Sequence, residues 1–80
     1  MQTVKLILSI EKREICYLQW IIESYDGMAS MRTIDPAHGK VEISFAPGCR
    51  GEIFSLIRRL EEDRSIHVKE KREHFFHINR

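Results

Sequence analysis

The sequence is poor in cysteine, proline and glycine: its 80 residues include two cysteines, two prolines and four glycines. It contains no repeat and no low-complexity linker, which excludes a fibrous or largely disordered chain. Cys16 and Cys49 lack the spacing of a metal or redox motif. We therefore expect both to be free thiols in a reducing compartment, with no disulfide between them.

A long hydrophobic run is also missing. The apolar stretch over residues 4–10 is interrupted by Lys5 and runs directly into Glu11 and Lys12. It therefore lacks the apolar core and the cleavage site of a secretion signal. No other apolar stretch approaches the roughly 20 residues that a membrane-spanning helix needs. We expect a cytoplasmic protein with no membrane partner.

Neither sign of charge is in excess. Thirteen lysines and arginines nearly balance 12 aspartates and glutamates, for a formal net charge of +1. Such a chain exerts little long-range attraction on polyanions, so the composition disfavours nucleic acid as a partner. With 42% hydrophobic and 31% charged residues, the composition is that of a globular protein. The length predicts a single domain, residues 1–80, whose core is small.

The first third of the chain predicts a strand and then a helix. Alternation predicts the strand over residues 3–10, and helical spacing predicts the helix over residues 11–25, capped by Ser9 and ended by Gly27. The buried face of the strand comprises Val4, Leu6, Leu8 and Ile10. The buried stripe of the helix comprises Ile15, Leu18, Ile22 and Tyr25, widened by Tyr17 and Ile21.

The rest of the chain predicts a hairpin, a second helix and a last strand. A second strand over residues 28–34 shows no clear inward face, so its register stays open. A turn over residues 35–39 leads into a third strand with inward Val41, Ile43 and Phe45. A short fourth strand is predicted at residues 66–69, and residues 73–80 form a C-terminal tail or extension. The second helix is predicted from the apolar positions Ile53, Leu56, Ile57 and Leu60.

This order of elements, βαββαβ, predicts an α+β fold of the ferredoxin-like type. Each helix covers the apolar face of the sheet, which gives a two-layer sandwich. In the usual antiparallel order of such a sheet, 4-1-3-2, the first and third strands are central. These are the two strands whose alternation is clearest.

Two segments resemble a known family: residues 15–29, ICYLQWIIESYDGMA, and residues 32–35, RTID. They resemble a family of short bacterial proteins catalogued as a domain of unknown function, with a ferredoxin-like fold similar to that of ACT regulatory domains. The resemblance runs from the first strand through the second helix. It implies a bacterial cytosolic setting and supplies no catalytic residue.

The chemistries that this fold hosts leave few candidates. The first strand-to-helix connection has neither the paired cysteines of soft-metal carriers nor the glycine of acylphosphatase-like and amino-acid-binding domains. His74 and His77 lack a third metal ligand. The sequence therefore predicts no catalytic residue, no metal and no cofactor. The open face of the sheet lacks the aromatic residues of RNA-binding modules, since it carries Lys5, Ile7, Ser9, Glu42 and Ser44.

One local motif is a candidate ligand site. Gly48, Cys49, Arg50 and Gly51 precede the second helix, where free backbone N–H groups and the Arg50 fork are typical of anion binding. The same field lowers the pKa of a cysteine thiol, which is the basis of a thiol or phosphoryl enzyme using Cys49 and Arg50. The competing interpretation is an ordinary turn with glycines for backbone geometry. An enzyme would also need a base, which the sequence does not identify.

Three hypotheses remain. The first is a non-enzymatic binding or protein-interaction module that forms a homodimer, with Phe75, Phe76 and Ile78 meeting the partner surface. The second is an ACT-like regulatory domain for a small amino-acid or anionic ligand. The third is the thiol or phosphoryl enzyme.

Overall fold

The structure is a computed structural model that describes residues 2–25 and 27–77. Within these residues the chain forms strands β1 (Gln2–Ser9), β2 (Ala29–Asp35), β3 (Lys40–Phe45) and β4 (Glu70–His77), and helices α1 (Ile15–Glu23) and α2 (Arg50–Glu62). Single 3-10 turns cover Lys12–Glu14, Pro36–His38 and Pro47–Cys49. No helix in the described ranges is long and apolar enough to cross a membrane.

The strands form one antiparallel sheet in the order β2-β3-β1-β4. This is the predicted order, given from the other edge, and the predicted ferredoxin-like α+β fold is confirmed. The two central strands supply five fully buried side chains: Val4, Leu6, Leu8, Val41 and Ile43.

Both helices place their apolar stripes in the same core as the sheet. Leu18 and Ile22 of α1 are fully buried, and Ile53 and Ile57 of α2 are at most 1% exposed. Each such side chain contributes about 1.5–3 kcal/mol by leaving water. The open register of β2 is settled by Met31, which is 7% exposed and pairs with Ile43.

The start of the first helix differs from the prediction. Ser9 is the last residue of β1 and caps nothing, and α1 begins only at Ile15. Glu11 and Glu14 instead form a capping box around the 3-10 turn that precedes α1. This reciprocal pair satisfies the first backbone donors of the 3-10 turn, and α1 itself begins at Ile15 rather than at the predicted residue 11. Tyr17 is 44% exposed and does not widen the buried stripe.

The fourth strand also lies elsewhere in the sequence. It spans Glu70–His77 rather than residues 66–69, so the predicted tail is, as far as His77, the edge strand paired with β1. The alternating Ile66 and Val68 misled the prediction, because Ile66 is buried at the end of the core outside any strand. Charged residues conceal the real strand: Lys71 and Glu73 lie on its helix-facing side and pair with α2.

Gly39 holds the β2–β3 turn against the end of β1. Its φ is +65°, and a Cβ added there would lie 1.8 Å from the carbonyl oxygen of Ile10. The backbone N–H of Ile10 donates to the carbonyl of Gly39 at 2.9 Å. Gly27, after α1, also has a positive φ of +70°, but nothing lies within 4 Å of its added Cβ.

We expect Gly39→Ala to destabilise the fold by about 2–5 kcal/mol, because left-handed backbone strain adds to the overlap with Ile10. Gly27→Ala is the matched control, since it carries the strain without the overlap and should cost about 1 kcal/mol. Urea unfolding of both variants measures the difference. Equal losses for the two would show that the contact with Ile10 contributes nothing.

Candidate functional site

A cleft of about 730 Å³ lies at the end of the sheet where β1 stops. Three chain segments surround it: the first connection (residues 9–13), the β2–β3 turn (residues 37–40) and the start of β4 (residues 69–70). The neighbouring antiparallel strands β3 and β4 begin where β1 ends, which brings these three segments to the same end of the sheet. We call this cavity the first-connection cleft.

Backbone hydrogen bonds hold these segments together. Ile10 donates its N–H to Gly39 at 2.9 Å, which joins the first connection to the β2–β3 turn. Lys69 donates its N–H to the carbonyl of Ser9 at 2.7 Å, which joins it to the start of β4. The walls of the cleft are therefore tied to the sheet.

A buried carboxylate adds a third link. Glu14 is 9% exposed at its side chain and accepts hydrogen bonds from the backbone N–H of His67 at 2.8 Å and from His67 Nδ1 at 2.6 Å. It also accepts the N–H of Glu11 at 3.3 Å. Since a carboxylate only accepts, the His67 ring carries its proton on Nδ1 in this contact. Glu14 thus ties the segment before β4 to the turn before α1.

The same contacts change the acidity of Glu14. Burial raises the pKa of this carboxyl, but the hydrogen bonds from His67 and Glu11, together with the nearby His67 charge, outweigh it and leave the pKa below its ordinary value of 4.5. Glu14 is therefore charged near neutral pH.

Positive charge surrounds the first-connection cleft. The cleft is lined by Lys12, Arg13, Lys40 and Lys69 and by two carboxylates, Glu11 and Glu70. Lys69 pairs with Glu11 at 3.4 Å. The structure gives Lys12, Arg13 and Lys40 no ion pair with any residue it describes. Although the chain is nearly neutral, its cations are thus concentrated at one end of the sheet.

The predicted anion motif lies elsewhere, at the start of α2. The Arg50 fork is already engaged: its Nε and Nη2 donate to Glu73 at 2.7 and 3.0 Å, and its guanidinium lies 4.4 Å from the Phe54 ring centroid. The hydrogen bonds to Glu73 raise the pKa of Arg50 and lower that of Glu73. Cys49 is half-buried against the core. Ligand binding by Gly48, Cys49, Arg50 and Gly51 stays a prediction.

The glycines of this motif are not required by the chain's own geometry. Neither Gly48 nor Gly51 has a positive φ, and nothing lies within 4 Å of an added Cβ at either position. Both line a second cavity of about 430 Å³ with Tyr25 and Arg59. The interpretation as glycines needed for backbone geometry therefore finds no support at these two positions.

The predicted interaction residues fall on β4 and beyond it. Phe75 and Phe76 pair through their backbones with Val4 and Thr3 of β1, while Ile78 lies outside the described residues. Their contact with a partner stays a prediction.

Sequence reasoning missed the cations of the cleft, although a signal was present. Lys12 and Arg13 follow the first strand, Lys40 begins the third, and Lys69 directly precedes the fourth. These positions meet at one end of an antiparallel sheet. Placing the fourth strand too early concealed this convergence. Among the described residues, no three His, Cys, Asp or Glu side chains are grouped to hold a metal ion.

We expect Glu14→Gln to lower the free energy of unfolding by about 1–3 kcal/mol at pH 7, because the charged acceptor of two His67 donors is lost. A carboxyl whose pKa is lower in the folded state stabilises the fold at pH above its unfolded pKa. That contribution disappears as the pH falls from about 4.5 through the folded pKa. The difference between variant and native protein should therefore shrink between pH 7 and pH 3.

Urea unfolding at a series of pH values measures this difference. Glu62→Gln is the matched control, since Glu62 is exposed at the end of α2 and should show little effect at either pH. A Glu14→Gln deficit of the same size at pH 3 as at pH 7 would falsify the role given to the charge.

Comparison with known proteins agrees with the resemblance in the sequence. A family model described as domain of unknown function DUF4911 matches residues 8–63, from the end of β1 through α2. No curated protein and no solved structure matches the chain. Because the match covers more than two thirds of the sequence, the chain belongs to the DUF4911 family.

Proposed function

We propose that this chain is a non-enzymatic binding module that holds a small anionic ligand in the first-connection cleft. The observation that carries the proposal is the set of three cations around the cleft, Lys12, Arg13 and Lys40, that pair with no described carboxylate. An anion that enters the cleft gains charge-assisted hydrogen bonds without having to break an ion pair of these three side chains.

The size and the mixed charge of the cleft define the ligand. A volume of about 730 Å³ falls within the range of small-molecule sites. Glu11 and Glu70 stand among the cations, so a ligand that also carries an ammonium group would find a partner. Inorganic phosphate represents the simple anion, and an acidic amino acid represents the ligand with both charges.

The position of the cleft supports an ACT-like regulatory role. The first connection is where such domains bind their ligand, and the notable difference here is the missing glycine in that connection. Here the glycine that approaches the first connection is Gly39 of the β2–β3 turn, which packs against Ile10 and so has a structural role. The groups available to a ligand are the cations that line the cleft. A bacterial cytoplasm belongs to the same proposal, and the free thiols Cys16 and Cys49 are consistent with it.

We expect millimolar phosphate or aspartate to raise the thermal unfolding temperature relative to chloride at equal ionic strength. At a ligand concentration ten times the dissociation constant, the stabilisation is about 1.4 kcal/mol. For a domain of this size that corresponds to roughly 5–10 °C. Isothermal titration calorimetry gives the affinity directly. No shift with either ligand would remove the support for the cleft.

The matched variants locate the site. Lys12→Gln combined with Lys40→Gln should weaken binding about tenfold or more, the equivalent of 1.4 kcal/mol or more. Arg58→Gln removes an exposed cation of α2 outside the cleft and should leave the affinity unchanged. A loss in Arg59→Gln instead would place the anion in the cavity beside Gly48 and Gly51.

A further inference from the structure

The outer surface of α1 exposes two aromatic side chains. Trp20, the sole tryptophan of the sequence, is 71% exposed, and Tyr17 is 44% exposed. They lie on the side of α1 opposite the buried Leu18 and Ile22. Tryptophan and tyrosine are enriched among the residues that contribute most to binding at protein interfaces. This aromatic pair has no covering layer in the described part of the chain.

Opposite charges lie at the two ends of the pair. Arg13 stands in the turn before α1, and Glu23 is the last residue of α1; both are exposed. At 100° per residue, Cys16, Tyr17 and Glu23 all lie within about 60° of Trp20 around the axis of α1, and Arg13 lies in the 3-10 turn that precedes them. We call these five residues the α1 outer face.

The charges of this face are free for an intermolecular contact. Arg13 forms no ion pair with the residues that the structure describes. Glu23 accepts a hydrogen bond from Gln19 at 3.1 Å, on the exposed surface of the helix. The face therefore has a basic end, an aromatic centre and an acidic end, which makes it complementary to a reversed copy of itself.

We propose that a second copy of this chain packs on the α1 outer face, with the two α1 helices antiparallel about a two-fold axis. Such a pairing sets Trp20 against Tyr17 of the partner subunit and Arg13 beside Glu23 of the partner subunit. A two-fold axis repeats both contacts, so each copy contributes the same patch. A parallel pairing would instead set like charges side by side at both ends.

The length of the helix limits the strength of this dimer. Helix α1 has 9 residues, about two and a half turns, so one such helix on each side gives an interface below about 1,200 Å², in the range of weak and transient complexes. We therefore expect a dissociation constant on the order of 10 μM, at which the dimer breaks apart on dilution. Trp20, Tyr17 and Glu23 lie outside the cleft, and Arg13 is the one residue of the α1 outer face that also lines it.

Sedimentation and fluorescence of the native chain give the first test. The mass should rise from 9.5 kDa towards twice that value as the concentration increases. Because Trp20 is the only tryptophan, its emission should shift to shorter wavelength over the same concentration range. A monomer up to about 200 μM, well above the expected dissociation constant, would overturn the proposal.

Charge reversal tests the orientation. Arg13→Glu alone and Glu23→Arg alone should each weaken the dimer about tenfold, because like charges then meet at both ends. The combined Arg13→Glu/Glu23→Arg variant should restore the native affinity within about threefold. Both changes place the charge that the helix dipole favours, so the folded monomer is not put at risk. A dimer that both single reversals leave unchanged would overturn the α1 interface.

Cross-linking provides an independent readout. The proposed axis places the two Cys16 Cα atoms about 12 Å apart, within reach of a short bismaleimide. Cys49→Ala, which keeps Cys16, should cross-link to a dimer, whereas Cys16→Ser, which keeps the half-buried Cys49, should not. The reverse result would place the interface elsewhere and contradict the proposal.

Discussion

The path of the chain between α2 and β4 depends on the hydrogen bonds that the Glu14 carboxylate accepts from His67. Glu14 lies in the turn before α1, yet it accepts both the backbone and the ring N–H of His67, 53 residues later. The segment between α2 and β4 forms no helix or strand from Ser65 to Val68, and the N–H groups of Ser65 and Ile66 hold only its start, by donating to the carbonyl of Leu60. A buried charge is stable only where donors compensate for the lost water, so this segment has to pass beside Glu14. The start of β4 and one wall of the first-connection cleft follow from that path.

The fold was predictable where apolar periodicity is undisturbed. The alternation of β1 and β3 and the stripe of α2 place their residues in the core as expected, and the order of the sheet follows from them. The prediction failed at β4, because a strand whose helix-facing side carries Lys71 and Glu73 has no apolar alternation. Only the three-dimensional neighbours on α2 explain why such residues face inward.

The candidate site was less accessible to sequence reasoning. In the sequence, the start of α2 resembles an anion site, because it carries Gly48, Cys49, Arg50 and Gly51. In the folded protein, Glu73 already accepts the hydrogen bonds of the Arg50 guanidinium. The cations of the cleft come from three separated segments, and no local pattern joins them. Trp20 was within reach of the sequence, since its position falls opposite the stripe of Leu18 and Ile22. An apolar residue out of phase with the buried stripe of its helix is expected on the exposed surface.

The charged side of β4 has a consequence for how the sheet responds to its surroundings. Lys71 pairs with Glu61 at 3.2 Å and Glu73 pairs with Arg50 at 2.7 Å, and all four side chains are reached by solvent. Dissolved ions screen such pairs, while they leave the contacts among Leu6, Leu8, Val41 and Ile43 intact. The β4 edge is therefore held to α2 by ion pairs, whereas the centre of the sheet is held by apolar contacts. We expect rising ionic strength to loosen the β4 edge before the apolar centre of the sheet, which exposes to water the backbone groups of β1 that β4 covers.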